Sequence, residues 1–197
     1  MLTKKIAFVF VLFLISCTSN IENAVVTRIV DGDTLVISTG EKVRLICIDT
    51  PETGDAYASQ AKRHLTTLTL NKSVVLERDV EDTDKYGRLL RYVYVNNFSV
   101  NKDIVHSGLA TIFRVPPNGV HCDEYETAQS VAQEKKIGIW TESNDSCEVC
   151  PGSVAVGDSE SYTWFFCSCK KTKKISNPRC FRSAGETILA GYSQGKC

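Results

Sequence analysis

The sequence predicts a chain of the α+β class that is mainly β: five strands closed into a barrel, three helices packed on it, and a small cysteine-rich domain at the C-terminus. Three observations carry this. β-branched residues concentrate in short runs bounded by Asp-Gly, Thr-Gly and Asn-Asn, the pattern of strands joined by turns. Three other stretches switch to apolar residues at helical spacing. Six of the nine cysteines stand at or beyond Cys147, an imbalance that marks a second domain.

In chain order, Met1-Leu2-Thr3-Lys4-Lys5 is a basic start, and residues 6–15 form an apolar run too short to span a bilayer. That is an export signal. It ends in Leu14-Ile15-Ser16-Cys17, which resembles the bacterial lipobox, where lipid is attached to the cysteine thiol and the chain is cut before it. The expectation is a lipoprotein signal peptide over 1–16, lipidation at Cys17 and a polar tether over 17–23. The mature chain is then held by acyl chains at the membrane of a bacterial cell envelope, outside the cytoplasm. The alternative is a conventional signal peptide and a secreted protein.

From Ala24 the pattern is β. Residues 24–30, 34–38 and 43–48 read as a three-strand meander with turns at Asp31-Gly32 and Thr39-Gly40. After Pro51, the positions of Ala58, Ala61, Leu65 and Leu68 set a helical period over residues 55–70. Two more strands follow at 73–77 and 89–95, separated by a charged loop over 78–88. Val100, Ile104, Val105 and Leu109 share one face of a short helix with Gly108 near its end. Pro116-Pro117-Asn118-Gly119 is a loop, and 123–136 a final helix whose acidic first turn suits the helix dipole. Five strands interrupted by helices give an OB-type barrel over residues 24–142, with the cysteine-rich domain over 147–197.

The 23 basic and 23 acidic residues cancel over the full chain, but not locally. Residues 17–146 hold 14 Lys and Arg against 19 Asp and Glu, a net of −5, and the tail from Cys147 holds 7 against 4, a net of +3. An acidic first part argues against delocalised binding of a polyanion by a basic face, so recognition there must be local and metal-assisted. The lysine run 170–174, with Arg179 and Arg182, either holds nucleic acid or faces solvent.

Export changes what the cysteines mean, because compartments outside the cytosol favour disulfides. Cys47 and Cys122 either pair with each other or remain buried thiols. In the tail, Cys147, Cys150, Cys167, Cys169, Cys180 and Cys197 are expected to form disulfides rather than thiolate pairs for zinc, since Cys-x-Cys spacing is unusual in structural zinc sites. Zn²⁺ in the tail is the alternative. The run from Cys169 to Cys197 faintly resembles an Ada-type metal-binding module, although that module ends in a paired Cys-x-x-Cys and here only Cys197 remains.

The densest chemistry lies between Asp31 and Glu52. Asp33 and Asp49, with a backbone carbonyl such as that of Thr50, form an all-oxygen set suited to Ca²⁺, to be completed by water and a substrate phosphate. Zinc is less suited there, with no His or Cys. Glu52, just beyond these ligands, is placed to orient and deprotonate a water, and Arg44 and Arg88 offer planar donor forks to phosphoryl oxygens. Asp-Gly alone would be a hairpin turn and Arg44 alone a surface ion-pair partner; taken together they are hard to explain as turns.

These residues resemble the thermonuclease-like, or staphylococcal nuclease-like, family. Its pattern runs D-G-D-T, R-L-x-x-I-D-T-P-E, D-K-Y-G-R, V-N-x-x-x-V-x-x-G-L-A and a closing I-W, and it matches residues 31–34, 44–52, 84–88, 100–110 and 138–140 in that order. The resemblance implies a calcium-dependent endonuclease acting on DNA and RNA and leaving 3′-phosphate ends. It assigns Asp33, Asp49 and Thr50 to the metal and Arg44, Glu52 and Arg88 to the chemistry. It also implies that Lys85 and Tyr86 touch the terminal phosphate and sugar of a nucleotide, with strand-edge packing the equal alternative for Tyr86. The chain departs from the pattern at Arg114, where the family often presents a tyrosine for base stacking; Arg114 is expected to stack or to reach phosphate. The segment after Glu52 is also short.

A monomer is expected. The competing reading is a non-catalytic OB-type module that binds nucleic acid or protein, but degenerate copies of the domain lose the carboxylates and arginines that this chain retains. His64, His106 and His121 have no ligand spacing and are expected to face solvent.

Overall fold

The computed structural model describes residues 20–141, 149–150, 153–167 and 169–196. The export signal, Cys17, the start of the expected tether, Cys147 and Cys197 lie outside the described residues. The first part of the chain forms β1 (Ile21–Ile29), β2 (Thr34–Ile37), β3 (Lys42–Leu45), β4 (Cys47–Asp49), α1 (Ala58–Thr69), β5 (Ser73–Thr83), β6 (Leu89–Val95), β7 (Phe98–Ser99), α2 (Val100–His106), β8 (Thr111–Phe113) and α3 (Cys122–Glu134).

β1 pairs antiparallel with β2 and with β5, β2 with β3, and β5 with β6; a parallel pairing of β3 with β6 closes the ring. This is the five-stranded barrel that the strand pattern predicts, and among the described residues three helices pack on it and a fourth lies in the tail. Closure leaves the inward residues of alternating strands no route to water. Val26, Leu35, Val43, Leu45, Leu76 and Val93 are fully buried, each worth roughly 1.5–3 kcal/mol relative to exposure. The helices cover the barrel through short apolar stripes: Ala61 and Leu65 on α1, Val100, Ile104 and Val105 on α2, and Tyr125, Ala128 and Ala132 on α3. Ser99 caps α2 by accepting the Lys102 N–H.

Four boundaries differ from the sequence expectation. β1 begins at Ile21, inside the expected tether, and β5 runs on to Thr83, because Ile21 to Val25 pair with Ser73 to Glu77 and Thr83 still pairs with Leu89. The expected charged loop shrinks to residues 84–88. The expected strand over 43–48 breaks after Leu45. Cys47 adopts φ +65°, and β4 leaves the barrel to pair with β8, a strand not foreseen. A disulfide between Cys47 and Cys122 ties β4 to the start of α3 and resolves the alternatives for that pair. The first helix starts at Ala58 rather than 55, since Tyr57 before it is left-handed at φ +66°.

The tail folds into a four-stranded sheet from β9 (Ala155–Asp158), β10 (Thr163–Phe166), β11 (Pro178–Phe181) and β12 (Ser193–Gln194), in the order β11-β9-β10-β12, with α4 (Ala184–Leu189) beside it. Trp164, Phe181 and Tyr192 make its core, and a Cys150–Cys180 disulfide closes one side. Cys169 is disulfide-bonded as well. The tail rests against the barrel part where Ile188 of α4 joins Tyr57 on the cluster of Ala132, Ile139 and Trp140. Among the described residues no helix is long and apolar enough to cross a membrane.

Candidate active site

The turn from β1 to β2 is pressed against the start of α1. A Cβ at Gly32 would lie 2.6 Å from Thr50 Oγ1 and from Ala61 Cβ, so only glycine lets the loop approach this closely. The approach buries Asp33, which is 6% exposed, and turns it toward Thr50. Asp33 Oδ2 accepts from the Thr50 N–H and hydroxyl at 3.0 Å each, and Oδ1 accepts from the Thr34 hydroxyl at 3.1 Å.

Arg44 stands opposite Thr34 on β3 and bridges the buried Asp33 and the half-buried Asp49. Its Nε lies 3.1 Å from Asp33 Oδ1 and its Nη2 donates to Asp49 Oδ1 at 2.9 Å. Nη1 donates to the carbonyls of Leu45 and Ile48, which fixes the guanidinium plane where the barrel strand breaks. One cation therefore serves several anions. Burial pushes the Asp33 carboxyl up, against the pull of Arg44 and the Thr50 bonds, and Asp31 adds to the push. Asp49 is pushed up to about 6 by burial, with Asp33 and Glu52 adding repulsion that Arg44 only partly offsets. Glu52, though exposed at the surface, is also raised, by partial desolvation of its carboxyl first and then by Asp33, Asp31 and Asp55.

Such a cluster is under-neutralised, and oxygen donors alone suit a hard divalent cation. The fit is specific. Asp49 keeps one carboxylate oxygen clear of Arg44, Thr50 has its N–H and hydroxyl committed to Asp33 with its carbonyl left over, and Asp33 must release one hydroxyl to admit an ion. Among the described residues no three His, Cys, Asp or Glu side chains form a ready metal cage. The protein donors amount to two carboxylates and a carbonyl, and the tail's described cysteines include no zinc cluster.

Arg44 lines a groove of about 530 Å³, whose wall also carries Lys85, Tyr86, Arg88 and Phe113. The loop bearing Arg88 holds itself together around Asp84, whose Oδ1 accepts the Tyr86 and Arg88 N–H groups and whose Oδ2 takes the Arg88 Nε at 2.6 Å. Burial opposes the Asp84 charge, but those bonds outweigh it and hold the carboxyl below its ordinary range. Tyr86 is 73% exposed, with Lys85 Nζ 5.0 Å and the Arg88 guanidinium 5.5 Å from its ring, so it is not packed at a strand edge.

The structure thus brings Asp33, Arg44, Asp49 and Thr50 into direct contact, sets Glu52 within electrostatic reach, and lines one groove with Arg44, Lys85, Tyr86 and Arg88. Arg114 is placed elsewhere. Its guanidinium is paired with Asp123 and Glu126 on α3, and the groove receives its neighbours Phe113 and Val115 instead. Strand alternation explains this: β8 pairs Phe113 with Cys47, so the next side chain points the other way. Phe113, 53% exposed, is a groove ring that the sequence reading passed over.

Asp79 was passed over too. It accepts from the Gly119 and Val120 N–H groups and from Tyr92 Oη, pinning the loop after β8; these bonds overcome the burial penalty and lower its carboxyl. Two histidines are less exposed than expected, since His64 is paired with Asp103 at 2.7 Å and His121 with Glu77 at 3.1 Å.

Residues 42–142 match the family model described as staphylococcal nuclease homologue. The chain belongs to this family. Among nuclease relatives, it is 40% identical over 132 residues to a thermonuclease of Staphylococcus intermedius, an overlap of 60% of this chain and 76% of the relative. It is 37% identical over 132 residues to endonuclease YncB of Bacillus subtilis, spanning 61% of this chain and 63% of that protein. A Haemophilus influenzae protein described as an uncharacterized endonuclease is 33% identical over 152 residues, spanning 73% of this chain and 83% of the relative. The family match ends at the last turn of the barrel part, so the sheet β9 to β12 lies beyond it.

The strained charge balance of this nuclease-family site makes a prediction about stability. Because the Asp49 carboxyl is raised above its unfolded value of 3.8 to about 6, its favourable contribution is complete below pH 4 and lost as pH rises through 6. Without divalent cations, Asp49→Asn should therefore stabilise the fold at pH 7 by on the order of 1 kcal/mol after solvent screening, about 2–4 °C in Tm. The gain should vanish near pH 4. Thermal melts at the two pH values check this, and an Asn variant less stable at pH 7 would contradict it.

Proposed function

We propose that the chain is a calcium-dependent endonuclease that hydrolyses DNA and RNA to 3′-phosphate ends while tethered to the cell envelope. The observation that carries the reading is the placement of Arg44. It belongs to the carboxylate cluster and to the groove at once, so a phosphodiester gripped by Arg44 and Arg88 lies beside Asp33, Asp49 and Glu52. Family membership and the nuclease relatives support the same class of reaction.

In this mechanism Lys85, Tyr86 and the Phe113 ring receive the nucleotide along the groove, and Arg44 and Arg88 donate to the non-bridging phosphoryl oxygens. Glu52 accepts a proton from a water whose oxygen attacks phosphorus in line; the bond from phosphorus to the 5′ oxygen breaks, that oxygen takes a proton from solvent to leave as the hydroxyl, and the phosphate stays on the 3′ side. Asp33, Asp49 and the Thr50 carbonyl would hold Ca²⁺, which when bound supplies Lewis-acid neutralisation of phosphoryl charge. The raised Glu52 carboxyl suits a base, since proton transfer is best when its affinity for a proton lies nearer the working pH.

Cleavage of denatured DNA by the chain lacking residues 1–17 tests this. Activity should appear with calcium, disappear with chelator, and fall a hundredfold or more, to order of magnitude, in Glu52→Gln. A folded chain that binds DNA but never cuts it with any divalent metal would favour the binding-module reading. The envelope tether rests on Leu14-Ile15-Ser16-Cys17. Labelled fatty acid should enter the intact chain and not Cys17→Ala; equal labelling, or none in either, would argue against the anchor.

A further inference from the structure

We infer that the C-terminal sheet positions the loop that carries Glu52, with Gln194 as the positioning residue; this rests on the proposed role of Glu52 as base. Between Pro51 and α1 the chain has few bonds of its own. The Asp55 N–H donates to the Glu52 carbonyl at 2.8 Å and the Ala58 N–H to Asp55 at 3.3 Å. Glu52, Thr53 and Gly54 are exposed, and a Cβ at Gly54 would meet nothing within 4 Å. A turn this open samples other shapes unless something outside it holds it.

The hold comes from 138 residues further along the chain, where Gln194 Oε1 accepts the Ala56 N–H at 2.6 Å. Gln194 is itself fixed, since β12 runs parallel to β10 with Gln194 opposite Trp164, and the next N–H, of Gly195, donates to the Trp164 carbonyl at 2.7 Å. A separate contact reaches the adjoining residue. Tyr57 and Ile188 of α4 pack on the cluster of Ala132, Ile139 and Trp140, and α4 approaches Trp140 so closely that a Cβ at Gly185 would fall 2.5 Å from its ring. Hydrogen bond and packing thus converge on Ala56 and Tyr57, one short turn beyond Glu52.

The chemistry of the tie also fits. A neutral amide oxygen accepts the N–H without adding charge to a region where Asp31, Asp33 and Asp55 already press on Glu52. A base displaced by about 1 Å can lose up to a hundredfold in rate, so a loop released but still nearby should show a loss in turnover rather than in substrate binding. The tail would then act on catalysis without touching substrate.

The test compares Gln194→Ala, Gln194→Glu and Gly185→Ala in the full chain, by amide hydrogen exchange at residues 52–58 and by steady-state cleavage of denatured DNA. In Gln194→Ala, exchange at Ala56 should quicken at least about tenfold and kcat fall about tenfold, with KM within about twofold. Gln194→Glu keeps an acceptor oxygen and should restore protection at Ala56, while its added charge, pressing on Glu52, should recover only part of kcat. Gly185→Ala, acting through Trp140, should lower kcat in the same way. Unchanged exchange in Gln194→Ala, or faster exchange with kcat intact, would overturn the inference. A Glu52→Gln chain that still cleaves would overturn the base assignment beneath it, by a result separate from either.

Discussion

The site depends on one guanidinium held between a buried carboxylate, Asp33, and a half-buried one, Asp49. Arg44 neutralises Asp33 and Asp49 in part, yet both remain raised, and Glu52 and Asp31 add negative charge nearby. Low polarity and like charge make this arrangement unfavourable by itself. A structure that tolerates it keeps a standing demand for positive charge, which a cation or a pair of phosphate-bound donors can meet.

The fold delivers these groups by interrupting its own barrel. β3 supplies Arg44 from within the ring, and the break at Cys47 sends β4 outward so that Asp49 and Thr50 come round to face Asp33. Two devices hold the break. β8 pairs with β4 along its length, and the Cys47–Cys122 disulfide ties it to α3. Asp79 pins the loop between them. The groove therefore has walls from β4, β8 and the Asp84 loop, and its electrostatic end is set by residues only a few positions apart in sequence.

Local patterns make the barrel legible in the sequence. β-branched runs and glycine turns marked β1 to β3, β5 and β6, and helical spacing marked α1 to α3, because those signals act within a few residues. The cluster around Arg44 was readable for the same reason. What escaped depends on distant partners. β8 is three residues long and exists through its pairing with β4; Phe113 rather than Arg114 enters the groove because of that register; and the extension of β1 and β5 rests on each supporting the other. The contact of Gln194 with Ala56 has no local signal at all, and the cysteine pairings could not be chosen from spacing.

Calorimetric titration of Ca²⁺ into the chain, with and without a short single-stranded oligonucleotide, tests the central claim most directly. If the Arg44 cluster is an incomplete cation site finished by phosphate, calcium alone should bind weakly, with a dissociation constant of roughly 10⁻⁴ to 10⁻³ M, and more tightly with oligonucleotide. By linkage the oligonucleotide should gain the same factor from calcium. Calcium binding that is absent in both titrations, or identical in the two, would contradict the account.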